Sequence, residues 1–183
     1  RVYVVLFTTL LRLGGHLVVS AAVALILAEV ILVMSCAATK KFLVGRKWGS
    51  AHSTPFWSWR HFTYFFAQDC FFAWCRIPLG ISAGTVLPNI ILRWMGCQIG
   101  KRTILTSPVQ TSDWNAVSFG NDCIIGGLLQ FHTLENMMLK VKRTDIQNGS
   151  TVNFGATVMG GAVIEPETTL LPLSMVLKEM HLT

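Results

Sequence analysis

Between Val152 and Leu177 an aliphatic residue returns every six positions: Val152, Val158, Ile164, Leu170 and Val176. A small residue follows each of the first four at +4: Ala156, Ala162, Thr168 and Ser174. This period matches neither the 3.6 of a helix nor the 2 of a strand. A fixed short repeat constrains a fold more than any local propensity does. The hexapeptide spacing predicts a parallel β-helix in which each unit forms one flat side of a triangular coil. The aliphatic residue points inward and the small residue fits beside a tight corner. Ile146 with Ser150 keeps the register, so six units run in line to about residue 181. Upstream the phase recurs in pieces: Ile99 with Thr103, Leu105 with Val109, Phe119 with Cys123, Ile125 with Leu129. It breaks at roughly 111–118 and 137–145. About eleven units at three per coil predict three to four coils over residues 97–183.

The N-terminal half is of another kind. Only 13% of the 183 residues are charged, against about a quarter in a soluble domain. Residues 17–36, LVVSAAVALILAEVILVMSC, are long enough to span a bilayer. Eleven of them are Leu, Ile or Val, worth about −4 kcal/mol together on insertion scales. Glu29 costs up to about +3 kcal/mol at the bilayer centre. Insertion wins narrowly, so Glu29 is expected to hydrogen-bond to a neighbouring helix. Residues 2–11 read as the tail of a preceding span, as if the chain were cut from a longer protein, with residues 13–16 as the turn. Lys40, Lys41, Arg46 and Lys47 follow the span. The positive-inside rule then puts everything after residue 37 in the cytosol. Residues 1–47 are therefore read as an integral membrane segment with a basic flank.

Residues 48–96 form an aromatic-rich segment, with Trp57, Trp59, Phe62, Phe65, Phe66, Phe71, Phe72 and Trp74 among Arg60, His61 and Asp69. Aromatics on several helix faces next to a span suit the headgroup layer of membrane lipid rather than base stacking on nucleic acid. Pro78, Gly80, Gly84 and Pro88 are expected to break this helix before a short amphipathic piece, NIILRWMG. The five cysteines have no CxxC or zinc-like spacing, and Cys123 takes the small slot of a hexapeptide. No metal site, glycine-rich phosphate loop or Ser-His-Asp order is visible.

The basic run K-x-x-x-x-G-R, then PFWSWRHF, G-T-x-L-x-N, LRWMGCQIGKRTIL, FGNDCIIGGLLQFHTLENMMLK and LPLSMVLK follow one another along essentially the whole chain. This order resembles one repeat of the C-terminal membrane region of poly-amino-acid synthetases, the non-ribosomal peptide synthetase-like enzymes of the ε-poly-lysine synthetase type. The resemblance implies a left-handed β-helix of acetyltransferase type, paired with transmembrane helices and linked to amide-bond formation. It also implies adenylation and carrier domains elsewhere in a longer chain, with neighbouring transmembrane helices or repeats as further partners. No cofactor is bound directly on this view. The thioester arrives on the phosphopantetheine arm of the carrier.

Functional residues are expected where the repeat fails. After Ile125 the next unit would begin at Phe131 and place Glu135 in an inward slot, which is costly for a carboxylate without a partner. The family pattern Q-T-H-L-F-E-D-R-V-M-K is matched here by Gln130, His132, Glu135 and Lys140, while its Asp and Arg stand as Asn136 and Met137. Aminolysis of an aminoacyl thioester needs a neutral amine near pH 7, and a histidine is the natural general base. His132 is assigned that role. Glu135, three residues on, is expected to orient the imidazole or bind the incoming ammonium, and Lys140 to meet carrier phosphate or a carboxylate. Asp113, in the first break, is a further substrate-binding candidate, and Trp114 beside it reads as packing. Two alternatives stay open. A degenerate scaffold copy is favoured by the loss of charge at Asn136 and Met137. A hexapeptide acyltransferase using coenzyme A is disfavoured, because Lys178 is the only positive charge after Arg143.

Overall fold

A computed structural model describes residues 2–12, 17–45, 52–106 and 113–182. Its C-terminal half is built of short parallel strands: β2 Gln98–Ile99, β3 Ile104–Leu105, β4 Val117–Phe119, β5 Ile124–Ile125, β6 Leu128–Gln130, β9 Thr144–Ile146, β10 Thr151–Val152, β11 Thr157–Met159, β12 Val163–Ile164, β13 Thr169–Leu170, β14 Met175–Val176 and β15 His181–Leu182. They form three sheets that the chain visits in rotation, ordered β15-β12-β9-β4-β2, β13-β10-β5-β3 and β14-β11-β6. Val152 lies beside Leu170, Val158 beside Val176 and Ile164 beside Leu182. One circuit therefore takes eighteen residues, or three hexapeptides. Ile125, Ile146, Val152, Val158 and Ile164 fill the interior, and Cys123, Ser150, Ala156 and Ala162 fill the small slots. Four levels and the added strand β15 stand on one another, slightly more than the three to four coils expected.

The corners of one edge share a left-handed backbone. Arg102, Asp122, Gly149 and Glu167 stack there with φ of 55°, 58°, 72° and 60°, and Arg102 pairs with Asp122 one level away at 2.5 Å. Three of the four are not glycine, so each costs about 1–2 kcal/mol, offset by the strand ladder on either side.

The phase reading around Ile125 needs correction. Gly126 and Gly127 shorten that corner, so Leu129 takes an inward aliphatic slot rather than a small one. A Cβ on Gly127 would lie 2.7 Å from Val152 Cγ1, which is why the short corner needs glycine. The coil then opens. Seventeen residues separate Leu129 from Ile146 where six separate Val158 from Ile164, an excess of eleven. The inserted residues make an antiparallel hairpin, β7 His132–Glu135 and β8 Met138–Val141. Asn136 and Met137 are its two central turn residues, with φ of 51° and 58°, as a two-residue hairpin turn requires.

The helices are α1 Val2–Arg12, α2 Leu17–Leu43, α3 Trp59–Ile81 and α4 Leu87–Trp94. Among the described residues only α2, over Val18–Leu43, is long and apolar enough to cross a membrane. Tyr3 of α1 donates to Glu29 Oε1 at 2.7 Å, the neighbouring-helix bond expected for that carboxylate. The turn at 13–16, the basic residues Arg46 and Lys47, and Val109 lie outside the described residues. Pro78 does not break α3. It costs one hydrogen bond in the last turn, and the helix runs on to Ile81, where Ser82 Oγ donates back to Pro78 O at 2.5 Å. Trp57, Trp59, Phe62 and Phe66 are exposed along this region, whereas Tyr64 and Phe71 are buried.

Two links join helices to coils. Strand β1, His52–Pro55, pairs antiparallel with β8, so the segment between α2 and α3 is sewn onto the inserted hairpin. A continuous core then runs from Val33 and Cys36 of α2 through Phe71 and Cys75 of α3 to Trp114 and the coil interior. At Gly120 a Cβ would come within 2.6 Å of Asn148 N on the next level. Gly120→Ala should therefore destabilise the protein by about 1–3 kcal/mol, read as a lower thermal midpoint in detergent. Gly80→Ala, in α3 with open space around it, should be neutral or slightly stabilising.

Candidate active site

The first break in the repeat places Asp113 immediately before a 3-10 turn, Trp114–Ala116. Trp114 is fully buried, with its ring 5.9 Å from Phe71 of α3, and this anchors the turn against the helix. The second break, expected at roughly 137–145, starts earlier in the structure, at His132, the first residue of β7. Between them stands Tyr64 of α3. The Tyr64 hydroxyl donates to Asp113 Oδ1, and Asp113 Oδ2 lies 2.6 Å from His132 Nδ1. The same Nδ1 is 3.1 Å from the Tyr64 oxygen. Asp113 is 2% exposed, and the His132 side chain 22%. A helix, a turn and an inserted hairpin thus meet at one carboxylate.

The carboxylate accepts from Nδ1–H, which leaves Nε2 as the basic edge of the imidazole. Burial works to depress the His132 pKa, but the hydrogen bond to Asp113 and its negative charge outweigh it, and the net shift is upward from 6.5. Tyr64 and Phe65 present ring edges to the imidazole, with centroids 5.8 and 6.5 Å away. Lys40 adds positive charge near Asp113. It sits within α2 and is buried, so it faces the protein interior rather than the headgroup layer that its place in the basic flank implied.

The other sequence candidates lie elsewhere. Residues three apart on a strand face opposite ways, so Glu135 cannot orient the imidazole of His132. Its two oxygens are instead taken by Lys140, at 3.1 Å, and by Lys178. Beside them Lys142 pairs with Glu179. These groups line a cavity of about 310 Å³ with Phe131, Thr133 and Gly160. The expected single site is therefore two, one on each face of β7. Asp113, expected as a substrate-binding group, lies against His132.

Tyr64 and Lys40 were not singled out from the sequence. The chain has only two tyrosines, and in the structure each donates to a carboxylate. The free thiols Cys36, Cys70, Cys75, Cys97 and Cys123 are all buried, and Cys123 packs with its Sγ 3.1 Å from Gln147 O. Among the described residues no three His, Cys, Asp or Glu side chains converge as a metal site would need. No family model, curated protein or solved structure matches the chain.

The upward shift fixes a linkage sign. A histidine whose folded pKa exceeds its unfolded one adds stability that is fully present below the unfolded value and lost as pH rises through the folded one. An NMR titration should place His132 above 6.5. Asp113→Asn should bring it down and remove that pH-dependent stability.

Proposed function

We propose that the chain is a membrane-anchored acyl-transfer unit that joins amino acids by aminolysis of a carrier-bound aminoacyl thioester. The observation that carries this reading is the Asp113–His132 pair, with its Nδ1–Oδ2 distance of 2.6 Å in a buried setting. The motif order shared with poly-amino-acid synthetases supports the substrate class. The coil is read as left-handed, with α2 in the bilayer and the strands on the cytosolic side. Exposed Trp57, Trp59 and Phe62 suit an interfacial position beside the span.

In this mechanism the incoming ammonium first gives a proton to solvent water to become a neutral amine. As its nitrogen attacks the thioester carbonyl, His132 Nε2 takes a second proton. The C–N bond forms, the C–S bond breaks, and the proton passes from the imidazolium to the leaving sulfur. Asp113 holds the ring in the Nδ1–H tautomer and stabilises the imidazolium, and Tyr64 holds Asp113. Fixing thioester and amine side by side supplies several further kcal/mol by proximity.

The scaffold alternative loses its main support. Asn136 and Met137 are the hairpin's turn residues, and Met137 is exposed. The charge missing there is missing at the tip, on the far end of the strand from His132. The coenzyme A alternative gains support, because the fold gathers Lys140 and Lys142 around Lys178.

The test uses the chain in nanodiscs with a carrier charged with a radiolabelled amino acid. His132→Ala should slow movement of label from thioester to amide by about 10²–10⁴-fold, and Tyr64→Phe by about ten-fold. An unchanged rate in His132→Ala would leave the chain a scaffold.

A further inference from the structure

The basin on the reverse face of β7 has no part in the proton transfer just described. Lys140 and Lys178 bridge the two oxygens of Glu135, and Lys142 pairs with Glu179. Three ammonium groups against two carboxylates leave an excess of one positive charge. Each ammonium has three donors and uses one in these pairs, so several N–H groups remain to point into the cavity. Its volume, about 310 Å³, is in the range of small-ligand sites. Gly160 forms part of the wall, packed against the Phe131 carbonyl with no room for a side chain. Sequence order hides this cluster. Lys178 belongs to the last coil, whereas Lys140 and Lys142 come with the inserted hairpin.

We propose that this basin binds the phosphate of a pantetheine arm, a deepening that rests on the acyl-transfer reading of His132. Strand β7 is the edge of its sheet, in the order β1-β8-β7. An arm with its phosphate among the lysines can pass over that edge without crossing another strand. Its thioester then arrives on the face that carries His132, one residue along the backbone from Thr133 in the basin wall. The same phosphate chemistry occurs in a carrier-borne arm and in coenzyme A.

The experiment measures binding of 4′-phosphopantetheine, pantetheine and coenzyme A to the chain in nanodiscs. Phosphopantetheine should bind at least ten-fold more tightly than pantetheine, and less so as salt rises. Lys178→Met and Lys140→Met should each weaken it about ten-fold, while Lys178→Arg should keep most of the affinity and thereby report intact folding. Similar affinities for phosphopantetheine and coenzyme A assign the carrier arm, and much tighter coenzyme A binding assigns the free thioester. Equal binding of pantetheine and phosphopantetheine, or no effect of Lys178→Met, overturns the proposal. His132→Ala should bind phosphopantetheine as the wild type does. Loss of phosphate preference with transfer still dependent on His132 would sink the basin alone. Normal transfer in His132→Ala would sink the underlying reading.

Discussion

A carboxylate taken out of water must be hydrogen-bonded and compensated, or it neutralises. Asp113 is such a group, and the junction of helices and coils is organised around it. Tyr64 comes from α3, His132 from the inserted hairpin, and the charge of Lys40 from α2. Removing any of these leaves a buried charge short of a partner, so the contacts around Asp113 also hold the two halves of the protein together. The ring pair of Phe71 and Trp114 keeps the turn before Asp113 pressed against the helix.

The parallel coils supply a rigid frame, and their interruptions bring the polar groups of the site together. Eighteen-residue circuits stack identical slots on one another, so an inward side chain has little freedom to carry anything but packing. Both departures from that regularity bring polar groups to the surface of the helices. The glycine corner at Gly126–Gly127 and the inserted hairpin act together: the first shortens a side, and the second leaves from the next. Pairing of β8 with β1 then fixes the hairpin relative to α3. Strand parity divides the hairpin's groups into two sets. His132 faces Asp113, and Thr133 and Glu135 face the lysines.

Much of this was legible in the sequence because it rests on short periods. The hexapeptide spacing is repeated often enough to identify the parallel sheets, and a mostly apolar stretch of twenty residues, 17–36, identifies α2. Glu29 could be assigned a helix partner because an unpartnered carboxylate amid an apolar helix is too costly. Asp113 was visible as a residue in a break, and His132 as a residue of a matched motif beside Glu135. Their pairing was not, since it depends on how far each insertion carries the chain sideways. Glu135 was misplaced because its strand was not foreseen, and without the strand its parity to His132 is unknown. Lys40 looked like part of a membrane flank because its helix was expected to end sooner. The lysine basin joins residues 38 positions apart in sequence, Lys140 and Lys178, which only stacking of the last coil on the hairpin brings together.

Asp113, 2.6 Å from Nδ1, should hold His132 in the tautomer that leaves Nε2 unprotonated. Nitrogen-15 NMR of histidine-labelled protein in nanodiscs, at a pH above the His132 pKa, reads that tautomer directly. The expected result is a protonated Nδ1 and an unprotonated Nε2 for His132, lost in Asp113→Asn. A protonated Nε2, or a tautomer mixture that Asp113→Asn leaves unchanged, would contradict it.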